Sequence, residues 1–132
     1  MDPRLSLVTL GVTDLEASRV FYEEVLGLPR IPTPPGIYFF ELGRTWLSLF
    51  PRAELAKDAA VPESGSGFRG FTLAHNVASE IEVDELIAHV ERSGGKIVKR
   101  PHRADWGGYS GYFADPDGFL WEVAFNPHFP HV

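Results

Sequence analysis

Side chains able to do chemistry are few in this chain, and they are spread along it. There is no cysteine, so thiolate chemistry and disulfides are excluded. Of the five histidines, His75 sits in a strand-like stretch, His89 on a helix-like one facing solvent, His102 in a loop, and His128 and His131 near the end. Each reads as an ordinary structural or surface histidine rather than a ligand. Glu122 is different, because it stands among Leu120, Ala124 and aromatic residues. An ionised carboxylate in apolar surroundings needs a hydrogen-bonding partner. It is either a general base or a carboxylate held by a hydroxyl or a water. Tyr38, Phe40, Trp46, Phe71, Trp106, Tyr109 and Tyr112 make up an aromatic surplus. Some of these must be core, but Trp106-Gly107-Gly108-Tyr109 places a Trp beside two glycines before a strand, as in the rim of a cleft. Aromatic walls with acidic charge suit planar or cationic ligands. His75 and Asn76 either orient such a ligand or begin the turn into the next helix.

The elements that must position these residues follow from hydrophobic periodicity. Residues 5–12 are apolar and β-branched and read as a strand. Thr13 and Glu16 have the spacing of a capping box, which opens a helix whose stripe is Leu15, Ser18, Phe21, Tyr22, Val25 and Leu26. Gly27 stops it. Residues 28–31 form a short strand, and 37–42 and 45–50 form two strands joined at Gly43-Arg44. The order then restarts. A strand is expected over 70–77, and Ser79 with Glu82 makes a second capping box. The next helical stripe is Val83, Leu86, Ile87 and Val90, with a stop at Gly94-Gly95. A short strand follows over 96–99, then a hairpin of 109–114 and 119–125 across Asp115-Pro116-Asp117-Gly118. The boxes lie half the chain apart, with Thr13 matching Ser79 and Glu16 matching Glu82. The same elements in the same order imply an internal repeat. The expected organisation is a single α+β domain with module one over 4–51, a Pro/Ser/Gly-rich linker over 52–69 carrying one helical turn at 53–58, module two over 70–126, and a tail over 127–132.

The bulk numbers bound the partners. With 132 residues and 44% hydrophobic content, the chain has one domain's worth of core. A net charge of −6 argues against a nucleic-acid footprint and permits a neutral or cationic ligand. No window approaches the length of a membrane span, and no signal-type stretch follows the N-terminus. A cytoplasmic location is expected.

Val12-Thr13-Asp14-Leu15-Glu16, Phe21-Tyr22, Leu26-Gly27-Leu28, Gly94-Gly95 and Asp115-Pro116-Asp117-Gly118-Phe119 with Glu122 together resemble the vicinal oxygen chelate superfamily. That group includes glyoxalase I, extradiol dioxygenases, fosfomycin-resistance enzymes and bleomycin-resistance proteins. The resemblance covers nearly the whole chain. It implies two tandem βαβββ modules whose sheets curl around a cleft, and a homodimer. In metal-dependent members a divalent ion is held by one residue on the first and one on the last strand of each module. Matching the motifs places those positions on Leu7, Ser48, Phe71 and Glu122. Leu and Phe have no lone pair to donate, and a neutral Ser is a poor ligand. The resemblance therefore implies the scaffold with its metal site lost, so no cofactor is expected. His75, taken to share the face of Phe71, lies about 13 Å further along the strand and reaches the cleft rim but not the same ion.

Three functions remain. The first is metal-independent binding of a small aromatic or cationic molecule, as in sequestration or resistance, with Tyr38, Trp46, Ser48, Phe71, His75, Trp106 and Tyr109 lining the site. The second is a lyase, isomerase or dioxygenase with an unconventional metal site or with Glu122 as catalytic base. The third is a partner-binding module with no ligand chemistry.

Overall fold

The computed structural model describes every residue except 2, 70, 106 and 129–132. Trp106, His131 and part of the expected tail therefore lie outside the described residues. The chain divides into two compact units, Met1–Ser66 and Gly67–Val132.

The first unit runs β1 (Leu7–Val12), α1 (Leu15–Arg19), β2 (Arg30–Ile31), β3 (Tyr38–Leu42), β4 (Thr45–Pro51) and α2 (Arg52–Asp58). The second runs β5 (Leu73–Asn76), α3 (Glu80–Arg92), β6 (Lys96–Arg103), β7 (Tyr109–Ala114) and β8 (Leu120–Phe125). Each unit builds one four-stranded sheet, in the orders β1-β4-β3-β2 and β5-β8-β7-β6. In both, the first strand pairs parallel to the last, and the remaining pairs are antiparallel. The expected α+β fold of two βαβββ modules is what the chain adopts.

One side of each sheet is covered by its own helix. In the first unit Leu10, Val12, Phe40, Leu47 and Leu49 are buried on that side, with Ser18, Phe21 and Tyr22 of the helical segment. Tyr22 meets Phe40 at 6.0 Å between ring centroids. In the second unit Val83, Ile87 and Val90 of α3 are buried, as are Phe113, Trp121 and Val123 of the sheet. The Phe113 and Trp121 rings stack at 6.3 Å and 6°. Alternation along the strands then sends the intervening residues to the opposite face.

Several local details differ from the expectation. Helix α1 is capped by Asp14, whose Oδ1 accepts from the Ala17 N–H at 2.9 Å, and not by a Thr13–Glu16 box. A carboxylate at this place also complements the helix dipole. Glu16 is instead drawn to Arg19 and Tyr38. The Ser79 cap forms as expected, accepting from the Glu82 N–H, while Glu82 accepts from the Ala78 N–H. The true caps, Asp14 and Ser79, are one residue closer together than the Thr13–Ser79 match. With that offset Ser18 aligns with Val83 and Tyr22 with Ile87, all of them buried.

Beyond α1 the chain continues as a π-helix over Val20–Val25, closed by the Leu26 N–H to the Phe21 carbonyl at 2.9 Å. Strand β5 is shorter than expected and leaves Phe71 outside it, and β6 is longer. His102 is thus in a strand rather than a loop, paired with Ser110. The helical turn expected at 53–58 is the helix α2. It approaches β1 at Gly11, where a Cβ would lie 3.2 Å from Leu55 and 3.3 Å from the Arg52 backbone. Among the described residues no helix is long and apolar enough to cross a membrane.

Candidate functional site

In the first unit, Leu7, Thr9 and Gly11 of β1 face away from α1. They lie beside Trp46, Ser48 and Phe50 of β4 by parallel register. The antiparallel register of β3 adds Phe39 opposite Ser48 and Glu41 opposite Trp46. Ser48 is fully buried, and its Oγ donates to Thr9 Oγ1 at 2.7 Å. Phe39 and Trp46 approach to 6.1 Å with tilted rings, and Leu7 and Trp46 remain part-exposed. This face therefore carries one satisfied hydroxyl pair within an apolar surround, and Glu41 is the only acid among its paired positions.

The same face of the second sheet is built from Leu120, Glu122 and Ala124 of β8, with Ser110, Tyr112 and Ala114 of β7. Ala74 and Asn76 of β5 join it. Glu122 is part-buried and stands directly opposite Tyr112. Burial holds the Tyr112 phenol above its ordinary range, and the charge and hydrogen bond of Glu122 push it the same way. The partner that a carboxylate at 122 requires is thus a tyrosine hydroxyl, one of the alternatives open from the sequence.

Not all the residues singled out from the sequence gather on these faces. Trp46 and Ser48 share one, and Glu122 stands on the other. Tyr38 pairs with Leu49 on the helix side, and its hydroxyl donates to Glu16 Oε2 at 2.9 Å. That bond, then burial, holds its phenol up. Tyr109 likewise turns toward α3 and donates to Asp84 Oδ1 at 2.7 Å, which raises its phenol. His75 pairs with Val123 and so shares the helix side of its sheet, not the face of Glu122. The cause is a slip of one residue, which reverses the face of every residue on a strand. The revised offset matches Leu7 to Thr72 rather than to Phe71. Phe71 itself lies before β5, 5.9 Å from Phe119. Trp106 lies outside the described residues.

Thr9, Phe39 and Tyr112 are the residues that sequence reasoning left out of the site. A signal for one of them existed. Once Gly43-Arg44 is taken as a two-residue turn, Phe39 must oppose Ser48. Tyr112 opposes Glu122 because the second connection also takes in Phe119 and pairs Ala114 with Leu120, whereas a four-residue turn over 115–118 would have set Tyr112 opposite Trp121.

These side chains do not fit a divalent metal ion. A protein site for such an ion draws on several imidazole or carboxylate ligands together. Here Leu7 on β1 and Thr72 just before β5 occupy the matched positions, the Ser48 hydroxyl is committed to Thr9, and Glu122 is engaged by Tyr112. Among the described residues no three His, Asp or Glu side chains cluster to hold an ion.

Fold and faces together define a glyoxalase-type scaffold, and comparison with known proteins gives the family. The chain belongs to the glyoxalase/bleomycin resistance protein/dioxygenase superfamily, whose family model matches residues 4–123. It is similar to the structure of a glyoxalase-related enzyme from Fulvimarina pelagi, at 37% identity and a TM-score of 0.87, covering 97% of this chain and 91% of that one. It is also similar to a lactoylglutathione lyase from Agrobacterium tumefaciens, at 28% identity and a TM-score of 0.75, covering 97% of each chain. An uncharacterized protein of Bacillus subtilis (strain 168), YraH, is 29% identical over 91% of this chain and 96% of its own length.

Proposed function

We propose that this chain binds a small aromatic or cationic molecule without a metal, as a sequestering member of its superfamily. The observation that carries the reading is the pairing of the donors: Ser48 with Thr9 in one unit, Glu122 with Tyr112 in the other. Around the first pair, Leu7, Phe39 and Trp46 supply apolar and aromatic surface. Such surface favours a planar ligand through burial and ring contacts. The reading includes a cytoplasmic homodimer, a common form in the superfamily, with no nucleic-acid partner, in keeping with the net charge of −6.

A second reading is catalytic, with Glu122 as the base of a lyase, isomerase or dioxygenase. It is favoured by one observation, the phenol of Tyr112 beside that carboxylate, a pair able to pass a proton.

The test is a thermal-shift panel on EDTA-treated protein, using neutral, cationic and anionic aromatic probes. The proposal expects at least one probe to stabilise the metal-free chain. A panel that stabilises only after Zn, Ni, Mn or Fe(II) is added overturns it.

A further inference from the structure

The second unit has a hollow of about 210 Å³ before β5 and at the turn into β8, and no sequence expectation covers it as a whole. Phe68, Arg69, Phe71, Phe119 and Leu120 line it. Phe119 is buried, while Phe68 is 72% exposed and Phe71 is 41% exposed. The Arg69 guanidinium lies over Phe119, its carbon 4.4 Å from the ring centroid. Its Nη1 donates to the Asp117 carbonyl at 3.0 Å, and that is its one hydrogen bond among the described residues. A guanidinium has five N–H donors in a planar fork, so most of them remain to be satisfied by water or a ligand.

These features define a ligand chemistry. Two exposed Phe rings gain free energy when a ring covers them. The free N–H fork beside them selects a planar anion that accepts two parallel bonds, which describes a carboxylate. At about 210 Å³ the hollow lies below the roughly 300 Å³ where pockets for drug-sized ligands begin, so its size suits a small ligand of one ring. Leu120 and Glu122 alternate to the same face of β8, about 7 Å apart. A negative group is therefore repelled at the Glu122 end and held at the Arg69 end.

We propose that this hollow binds a single-ring aromatic monocarboxylate, with the ring against Phe68 and Phe71 and the carboxylate on Arg69. The proposal rests on the reading of the chain as a metal-independent small-molecule binder, and it narrows that ligand from aromatic or cationic to aromatic and anionic.

The test titrates benzoate and phenylacetate into the full chain, with benzylamine and cyclohexanecarboxylate as controls, by calorimetry and by amide chemical shifts. The carboxylates of aromatic rings should bind best, with shifts centred on residues 67–71 and 117–121. Arg69→Gln should weaken benzoate by about ten- to a hundredfold, the range for losing a charged hydrogen bond. Phe71→Ala should weaken it less, and Arg44→Gln not at all. Circular dichroism checks that each variant is folded, and Arg69→Lys should keep part of the affinity. Benzylamine binding as tightly as benzoate, or benzoate affinity unchanged in Arg69→Gln, overturns the proposal. If benzylamine binds and moves residues around Ser48 or Glu122 while benzoate does not, this inference falls and the broader function stands. If no aromatic probe binds anywhere, both fall.

Discussion

The two sheets have the same strand order and the same parallel edge pair, yet their faces away from α1 and α3 are chemically unlike. In the first, the pair at the centre is two hydroxyls, Ser48 and Thr9, among Leu7, Phe39 and Trp46. In the second, it is a carboxylate and a phenol, Glu122 and Tyr112, between Leu120 and Ala124. The helix-covered faces are alike by contrast, with large apolar side chains at matching places. The side under α1 and α3 carries most of the large buried apolar side chains of each unit.

The comparison can be broken first at the hairpins. The second module turns on Asp115, which is 4% exposed and accepts from the N–H groups of Asp117 and Phe119 at 2.9 and 2.8 Å. The first turns on exposed Gly43-Arg44. Asp115→Ala should cost about 3 kcal/mol in chemical denaturation, since two main-chain donors lose a charged acceptor. Arg44→Ala should stay within about 0.5 kcal/mol. Equal losses at the two turns would contradict the claim that they are built differently.

A smaller effect is expected at the hydroxyl pair. Ser48→Ala should cost about 1 kcal/mol, because Thr9 is left with an unmet hydroxyl. Adding Thr9→Val should cost less than the single changes summed, since the pair is then removed together. Strict additivity in that double-mutant cycle would mean that the two hydroxyls are not coupled.

The smallest effect is electrostatic and lies in the second module. Tyr112 holds its proton more tightly folded than unfolded, through burial first and Glu122 second. Its contribution to stability is therefore present below the ordinary phenol value of 10.0 and is lost as pH rises through it toward the raised value. Glu122→Gln should lower the Tyr112 titration, read as tyrosinate absorbance against a Tyr112→Phe reference, while leaving the part due to burial. A titration that does not move would remove Glu122 as the partner of Tyr112.

The repeat, the element order and the fold were legible in the sequence because glycine stops, turns and apolar stripes are local signals. The exposed strand faces were less legible. Asp14 outcompeted Thr13 as a cap, which shifted the module match by one residue and moved His75 to the other face of its sheet. Tyr38 and Tyr109 are aromatic and lie on strands, but their hydroxyls are held by acids of the helices, Glu16 and Asp84. Nothing in the composition distinguishes such a tyrosine from one lining a cleft. Arg69 escaped notice because its meaning comes from Phe119, far along the chain. Residue types alone, in contrast, set the expectation at Leu7 and Ser48, since a Leu has no lone pair to donate and a neutral Ser is a poor ligand.

Metal-independent ligand binding is tested most directly by calorimetric titration of the chelator-treated chain with Zn, Ni, Mn and Fe(II). The account predicts no stoichiometric tight binding of any of these ions, and an affinity for benzoate that is the same with and without them. One tightly held ion per chain, lost in Glu122→Gln, would contradict it.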